Sequence, residues 1–477
     1  MTNTSTLVPF PAGRARRPTT LVVGIAATTA AGGLAAAGWG RFELATLGAL
    51  LLVLVGSQLP IARTRAIILA TLLLVPDIPS GASAGFYVRW SRGLTLSNFV
   101  VPVVAVPLLL GATLAGNRIM PARWPGLARW CYWLLAWCLL TLLVPWARGE
   151  VSAAEGTTLL AHLGKLALFI WIGVAMAGEL KEWRELQRVL YVGIVVNTVV
   201  GLMQAAGWLA VYSPLGELQP GLGVRVSGLF YDANMYGVLC AWALLWLASV
   251  QPAPGWRRRT HLALLAGVAV NLLAAGSRAG YLALGAGAVV MAWYGGAQAV
   301  RRAATALVLL ALVFPIESWQ RLAAASETVR QSWEHQTVVE PDPNDVSTQE
   351  RLTSMREALR QIARHPWLGL GFGRALYLGV PAISDGASVR SAGEASFNGA
   401  QDMGLSVLAE TGPIGLAMFL IAIAEPWRRL RPHFVDEDVA RLAGFAGLLA
   451  ACFTIEALWN TRLLALVVLL TASGGGV

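Results

Sequence analysis

Long apolar segments separated by short polar connections follow one another along most of the chain. The segments LVVGIAATTAAGGLAAAGWG (21–40) and LATLGALLLVLVGSQLPIA (44–62) are close to the roughly 20 residues that a helix needs to cross a bilayer. The first is not read as a cleaved signal peptide, since similar segments keep following it. The pattern predicts an all-α fold, a polytopic membrane helix bundle of about 12 to 14 transmembrane helices. Further helices are predicted at 66–78, 96–115, 127–146, 157–177, 189–210, 234–250, 261–275, 279–296, 303–316, 413–424, 440–458 and 463–472.

One polar stretch, from Pro315 to Thr411, interrupts this series. Connections of this length are usually functional. Within it, Ser347 and Glu350 have the spacing of a capping box at the start of STQERLTSMREALRQIARHP. We expect an amphipathic helix at the outer membrane surface with its apolar side down, which either only packs on the bundle or helps to hold a lipid-linked substrate. Its apolar stripe consists of Leu352, Met355, Leu359 and Ile362.

Composition and charge agree with a membrane protein and orient it. Hydrophobic residues make up 56% of the chain and charged residues only 13%, far below the soluble average of about 25%. Arginine and lysine concentrate in alternate connections, which places those connections and the N-terminus in the cytoplasm. The net charge of +10 therefore reflects orientation, with some attraction to anionic lipid, and not nucleic acid. We divide the chain into transmembrane helices (1–316), a periplasmic catalytic loop (317–410) and C-terminal transmembrane helices (411–477).

Neither a metal nor another cofactor is predicted. The four cysteines all fall inside predicted helices, and no CxxC or Cys/His cluster suggests zinc. Asp342 and Asp345 are read as a solvated turn, since the surrounding loop supplies no further ligands. The glycine-rich GLGFG (369–373) follows a helix and not a strand, which favours a turn over a dinucleotide site.

Two arginines stand at the predicted outer mouths of membrane helices. Arg225 lies in VRVSGLFYDANMYG (224–237), and Arg278 lies in GSRAG (276–280). An arginine near membrane depth costs roughly 2.5–3.5 kcal/mol on insertion scales, so it should be paired or functional. Two guanidinium forks on one face suit a diphosphate. The alternative, that each snorkels outward or pairs with a carboxylate such as Asp232 or Glu410, stays open.

Other ionisable side chains carry weaker predictions. Lys165 stands near the outer end of the 157–177 helix, where snorkelling is favoured over substrate contact. Two of the five histidines lie in the long loop, where they can face an external substrate. His365 is followed by proline and is read as structural, whereas His335, in SWEHQ, is a candidate base.

The motifs VRVSGLFYDAN, GSRAG, RHPWLGLGFG (364–373) and LAETG (408–412) resemble, in order and topological setting, those of the bacterial O-antigen ligase and Wzy-type polysaccharide polymerase superfamily. The resemblance covers about 224–415. It implies a metal-independent, inverting glycosyltransferase that takes a glycan from an undecaprenyl diphosphate carrier on the periplasmic face of the bacterial inner membrane. The acceptor is another carrier-linked glycan or lipid A-core. In this reading Arg225 and Arg278 hold the diphosphate, and Asp232, Asn234, Arg351 and Lys165 are secondary substrate contacts.

The chain departs from the family pattern at one position. Members commonly carry a histidine before the LAETG helix, aligned with a proposed base, where this chain reads AQDMGLSVLAETG with Gln401 in that place. Glutamine accepts no proton at neutral pH, so Asp402, Glu410, His335 or Glu394 takes the role, or the step relies on leaving-group stabilisation. A positioned base supplies roughly 10²–10⁴-fold, so its loss would slow transfer and not abolish it. The missing histidine favours a repeat-unit polymerase over a lipid A-core ligase.

Two other classes of protein remain as alternatives. A transporter of lipid-linked oligosaccharide could line its path with arginines, although transporters place ionisable residues towards the bilayer midplane. A structural subunit of an envelope assembly would not require external arginines at helix mouths.

Overall fold

The computed structural model describes residues 42–76, 96–120, 126–177, 180–209, 225–230, 232–249, 256–294, 304, 355–356, 358–374, 402–430, 436–452 and 461–472. The helix predicted at 21–40 lies outside these residues, as do all but residue 304 of the helix predicted at 303–316 and most of the polar stretch. Gln401, His335 and Arg351 also lie outside them.

The described residues form helices and contain no strand, which confirms the all-α class. Each apolar segment predicted within the described ranges is a helix, with ends shifted by a few residues for most of them. The helices are α1 (Phe42–Gln58), α2 (Ile61–Leu74), α3 (Leu96–Leu114), α4 (Gly126–Ala147), α5 (Ala153–Met176), α6 (Leu180–Ala205), α7 (Ala233–Ser249), α8 (Trp256–Ala275), α9 (Arg278–Tyr294), α10 (Met403–Leu430), α11 (Asp436–Cys452) and α12 (Thr461–Ala472).

Four helices are both long and apolar enough to cross a membrane: 126–147, 155–176, 186–205 and 403–428. Four shorter helices in the described part of the chain are also apolar. The protein is thus a multi-pass helical membrane protein, while the count of about 12 to 14 crossings stays a prediction.

Close backbone contacts at glycine give the directions of the helices. Gly237 of α7 lies against Gly280 of α9, and Gly287 further along α9 meets Leu245 further along α7, so these two helices run parallel. Helix α11 runs antiparallel to α9, because Gly447 contacts Ala283 whereas Ala443, earlier in α11, contacts Gly287. In a membrane, lipid is as apolar as a neighbouring helix, so the hydrophobic effect does not drive helices together. Association depends on close packing, which small residues at the contact allow.

Helix α10 runs antiparallel to α4. Gly126 at the start of α4 meets Glu425 near the end of α10, and Trp137 bonds Thr411 nearer the start of α10. Helices α10 and α11 pack together across a connection of residues 431–435, and so short a connection makes neighbours antiparallel. Helices α7, α9 and α10 therefore begin at the same end of the bundle, which we call the site end.

Candidate functional site

Residues 225–230 form an irregular strap across the site end, between the ends of α6 and α8 and the start of α7. The N–H of Val226 donates to the carbonyl oxygen of Ala274 (3.1 Å) and ties the strap to the last turn of α8. Gly228 has a φ of +56°, and a Cβ there would collide with the ring of Tyr236. The glycine of the VSG sequence is therefore required by both the backbone conformation and the space.

Arg225 begins the strap and closes the end of α8. Its Nε donates to the carbonyl oxygen of Ala275 (2.9 Å), and its Nη2 donates to Gly276 O (3.3 Å) and to Asn234 Oδ1 (2.9 Å). The last carbonyls of a helix have no partner within the helix, so this guanidinium satisfies an end that would otherwise need water. Its Nη1 makes no hydrogen bond to the described residues, which leaves one edge of the fork for a ligand.

Arg278 is the first residue of α9 and lies close enough to Arg225 for their charges to interact. Burial lowers the pKa of Arg225, the carboxylate of Asp232 raises it, and the positive charge of Arg278 lowers it again. Two cations beside one carboxylate leave an excess of positive charge here. An anion at this place would be favoured electrostatically.

Hydrogen bonds between the starts of α7 and α9 hold the segments that carry the two arginines next to each other. Ser277 caps α9 by accepting from the N–H of Gly280 (3.0 Å) and donates to the carbonyl oxygen of Asn234 (3.4 Å). Asp232 accepts from the N–H of Asn234 (2.8 Å) at the start of α7. Asp232 and Asn234, predicted as secondary substrate contacts, thus also have structural work, since Asn234 holds Nη2 of Arg225.

Buried amides, which sequence reasoning did not single out, support the strap from below. Gln204 near the end of α6 bonds the backbone of Ser227 and Gly228, and Asn197, about two turns earlier in α6, accepts from the N–H of Leu229 (3.4 Å). The hydroxyl of Tyr236 donates to the carbonyl oxygen of Asn197 (2.9 Å). The signal in the sequence was two amides within an otherwise apolar helical segment, which have to find partners inside the bundle.

The GLGFG and LAETG motifs lie against each other. The N–H groups of Leu370 and Gly371 donate to the carbonyl oxygens of Ala409 (2.8 Å) and Glu410 (3.0 Å), and Trp137 Nε1 of α4 donates to that of Thr411 (2.8 Å). These carbonyls end the first part of α10, which breaks at Gly412, with φ 69° and ψ −173°. The reading of GLGFG as a turn is borne out by positive φ angles at its three glycines. The turn thus donates hydrogen bonds to carbonyl groups at the end of the first part of α10.

The two described acidic candidates have structural contacts. Asp402 precedes α10 and accepts from the N–H of Leu405 (2.8 Å), as an N-cap residue does. Glu410 is only 1% exposed, and its Oε2 accepts from the N–H of Gly373 (3.0 Å). Asp402 is half-buried and is the more accessible of the two carboxylates.

The end of the long polar stretch packs on α10. Residues 355–356 and 358–364 are helical, and Ala358 lies against Ala409, with Ile362 and Leu405 beside them. After the turn, Arg374 forms an ion pair with Glu150 (3.5 Å) in the connection between α4 and α5. The LAETG motif is thus enclosed by the loop helix, the glycine-rich turn and α4.

The structure places the remaining candidate as follows. Lys165 lies in α5 and is half-buried. The structure brings together Arg225, Arg278, Asp232 and Asn234. It places Asp402 directly before α10 and Glu410 within α10, which begins at the same end of the bundle.

Comparison with known proteins finds a match to one family model over part of the chain. Residues 262–420 match the family model described as O-antigen ligase, and this region holds most of α8, Arg278, the glycine-rich turn and LAETG. A stretch of 81 residues is 37% identical to heme A synthase of Bacillus pumilus (strain SAFR-032). That second match covers 17% of this chain and 24% of the relative, so the chain spans about a quarter of the protein that it matches there. A match of that extent carries no activity across.

Proposed function

We propose that this chain is a glycosyltransferase of the bacterial inner membrane, because residues 262–420 match the family model described as O-antigen ligase. It takes a glycan from an undecaprenyl diphosphate carrier at the periplasmic face and joins repeat units into a polysaccharide. Its N-terminus is cytoplasmic, and the site end of the bundle faces the periplasm.

The observation that carries this proposal is the pair formed by Arg225 of the strap and Arg278 at the start of α9, which lie at the end of α8. Arg225 is anchored through Nε and Nη2 to two carbonyls and one amide oxygen, so its orientation is fixed before any ligand arrives. Donors held in place in advance stabilise developing charge without reorganisation. The neighbouring Arg278 adds a second positive charge.

The chemistry that suits this pair is the departure of a diphosphate. The acceptor hydroxyl attacks the anomeric carbon of the donor glycan, and the bond to the carrier's phosphate oxygen breaks with its electron pair. Attack from the face opposite the leaving group inverts the anomeric centre. Arg225 and Arg278 neutralise the charge that grows on the diphosphate, so no metal ion is needed for that purpose.

The proton of the acceptor hydroxyl needs a base or solvent. Of the two candidate bases among the described residues, Asp402 is half-buried, whereas Glu410 is enclosed and accepts a hydrogen bond from Gly373. Gln401 and His335 remain candidates from the sequence. We assign the acceptor proton to Asp402, whose second oxygen accepts none of the hydrogen bonds from the described residues.

The choice of polymerase over lipid A-core ligase rests on Gln401 in place of the family's histidine. The transporter alternative gains one observation, the break in α10, because transporters often use broken helices. In this protein, however, the carbonyls at the break already bond Leu370, Gly371 and Trp137 and so are not open to a travelling ion. The break therefore favours a fixed site over a transport path.

The test is reconstitution of the purified protein in lipid with a carrier-linked repeat unit, alone or together with lipid A-core. We expect chains that lengthen on the carrier without core. A product formed only when lipid A-core is present would identify a ligase. Movement of the carrier-linked substrate across the bilayer with no new glycosidic bond would overturn the proposal.

A further inference from the structure

One side chain holds the backbone that follows Arg225. Gln204 is 5% exposed, and its Oε1 accepts from the N–H groups of Ser227 (3.2 Å) and Gly228 (2.8 Å). Its Nε2 donates to the carbonyl oxygen of Gly228 (3.0 Å). All three partners are backbone groups of the strap, so the amide serves both as acceptor and as donor.

The strap has no regular structure to supply these bonds. A buried backbone group without a partner costs free energy comparable to a lost hydrogen bond, so an irregular buried segment needs outside partners. Gln204 supplies them on one side, and Ala274 of α8 accepts from Val226 on the other. Together the two sets of bonds fix the three residues directly after Arg225.

We propose that Gln204 is a positioning residue for Arg225: it sets the place from which the guanidinium reaches the diphosphate. This inference rests on the proposed function. In the proposed function Gln204 does not contact the substrate, and it acts only by holding the strap. The effect is therefore specific to steps that use Arg225, and it is absent from binding of the acceptor.

Replacing the amide by a carboxyl group gives a pH signature. In Gln204→Glu the ionised side chain still accepts from Ser227 and Gly228, but it turns a charged oxygen towards the carbonyl of Gly228. The protonated acid restores a donor for that carbonyl. The protonated acid is the form present at low pH, and it is lost as pH rises.

The first measurement is kcat/KM for the carrier-linked donor at pH 5 to 8 in wild type, Gln204→Leu and Gln204→Glu, all as full-length protein in lipid. We expect Gln204→Leu to lower it roughly 10-fold with the KM of the acceptor unchanged, since two backbone N–H groups lose their partner. The ratio of Gln204→Glu to wild type should fall as pH rises. The matched control is Asn271→Asp, because Asn271 is a buried amide that bonds Thr198 and Gly267 and not the strap. For Asn271→Asp, the ratio of kcat/KM to that of wild type should show no fall with rising pH that is confined to the carrier-linked donor.

The second measurement is a double-mutant cycle with Arg225→Ala. If Gln204 acts through Arg225, Gln204→Leu costs nothing further once Arg225 is gone, whereas a general structural defect adds its own loss. Additive losses, or a pH-independent ratio for Gln204→Glu together with an unchanged Gln204→Leu, would overturn this inference and leave the function standing. Wild-type turnover in Arg225→Ala would instead overturn the role of the arginine on which the inference rests.

Discussion

Arg225 has two tasks at the level of the single residue, and lysine can perform neither of them well. Its planar fork spans Ala275, Gly276 and Asn234 through two nitrogens and keeps a third nitrogen for a ligand. Lysine has one ammonium group on a flexible stem, so it retains the charge without the geometry. The same geometry applies to a diphosphate between Arg225 and Arg278.

We predict that Arg225→Lys and Arg278→Lys each lower transfer by about 10- to 100-fold, which corresponds to one charge-assisted hydrogen bond of roughly 1.5–3 kcal/mol. The measurement is kcat/KM for the carrier-linked donor in reconstituted protein. Arg258→Lys is the control, because Arg258 is exposed near the start of α8, at the opposite end from the site. Wild-type turnover in both site variants would exclude the diphosphate role.

A second prediction concerns the acceptor proton. Gln401→Ala should cost much less activity than Asp402→Asn or Glu410→Gln, because an amide cannot take up a proton. Asparagine caps a helix about as well as aspartate, so Asp402→Asn keeps the bond to Leu405 and isolates the loss of the base. Turnover and thermal unfolding are measured on the same samples. If Gln401→Ala were the only inactive variant, its amide would be essential and the base assignment would fail.

The sequence pointed to the two arginines and to Asp232 and Asn234 beside them, but not to the buried amides that hold the strap. An arginine at a helix mouth in an apolar chain is conspicuous, because its insertion is costly. Gln204 and Asn197 lie in a segment whose apolar pattern already predicted a helix, and their partners come from a strap whose path has no periodicity. Such contacts depend on tertiary structure.

At the scale of the element, α10 is two helices joined at Gly412. The apolar pattern predicted a membrane helix at 413–424. The structure shows a further helical part before it, from Met403. Its last carbonyls bond Leu370, Gly371 and Trp137, which come from distant parts of the chain and were not predictable from local sequence. The predicted boundary at 410 falls two residues before this break, and the division of the chain into three parts stays a prediction.

We predict that Gly412→Ala is strongly destabilising. Gly412 has a φ of +69°, which is unfavourable for alanine, and a Cβ would collide with the carbonyl oxygen of Trp367. Strain of this kind costs about 1–3 kcal/mol before the steric clash is added. The measurement is the midpoint of thermal unfolding in detergent together with transfer activity.

The matched control for this variant is Gly285→Ala. Gly285 lies within α9, and a Cβ added there would meet no other atom of the described residues within 4 Å, so alanine should be neutral or slightly stabilising, by up to about 1 kcal/mol. Equal midpoints for the two variants would show that the break in α10 tolerates a side chain, contrary to the contacts described.

At the scale of the whole molecule, orientation is the prediction that decides which solvent reaches the site. Trp208 follows α6 at the site end of the bundle and is 77% exposed. Arg258 is exposed near the start of α8, and α8 ends at the site end, so Arg258 lies at the opposite end of the bundle. A helix of this length separates its ends by roughly 30 Å, about the thickness of the hydrocarbon core. The two positions therefore report opposite faces of the membrane.

We expect a membrane-impermeant maleimide to label Trp208→Cys in intact spheroplasts and to label Arg258→Cys only after permeabilisation. The native cysteines are suitable as a background, since three are buried and Cys131 is partly buried. Labelling of the unsubstituted protein sets the baseline. The opposite labelling pattern would put the arginine pair in the cytoplasm and exclude a periplasmic donor.

The anchoring of Arg225 on the end of α8 has a consequence for local motion. The guanidinium of Arg225 bonds the last carbonyls of α8 and, in the proposed function, also binds the phosphates. A ligand that binds this arginine in its anchored position therefore reduces fraying of the last turn of α8. Inorganic pyrophosphate should accordingly slow amide hydrogen exchange at Val226, whose N–H bonds Ala274. Binding of the leaving group could then be detected as reduced deuterium uptake at this helix end, even if the fold does not change.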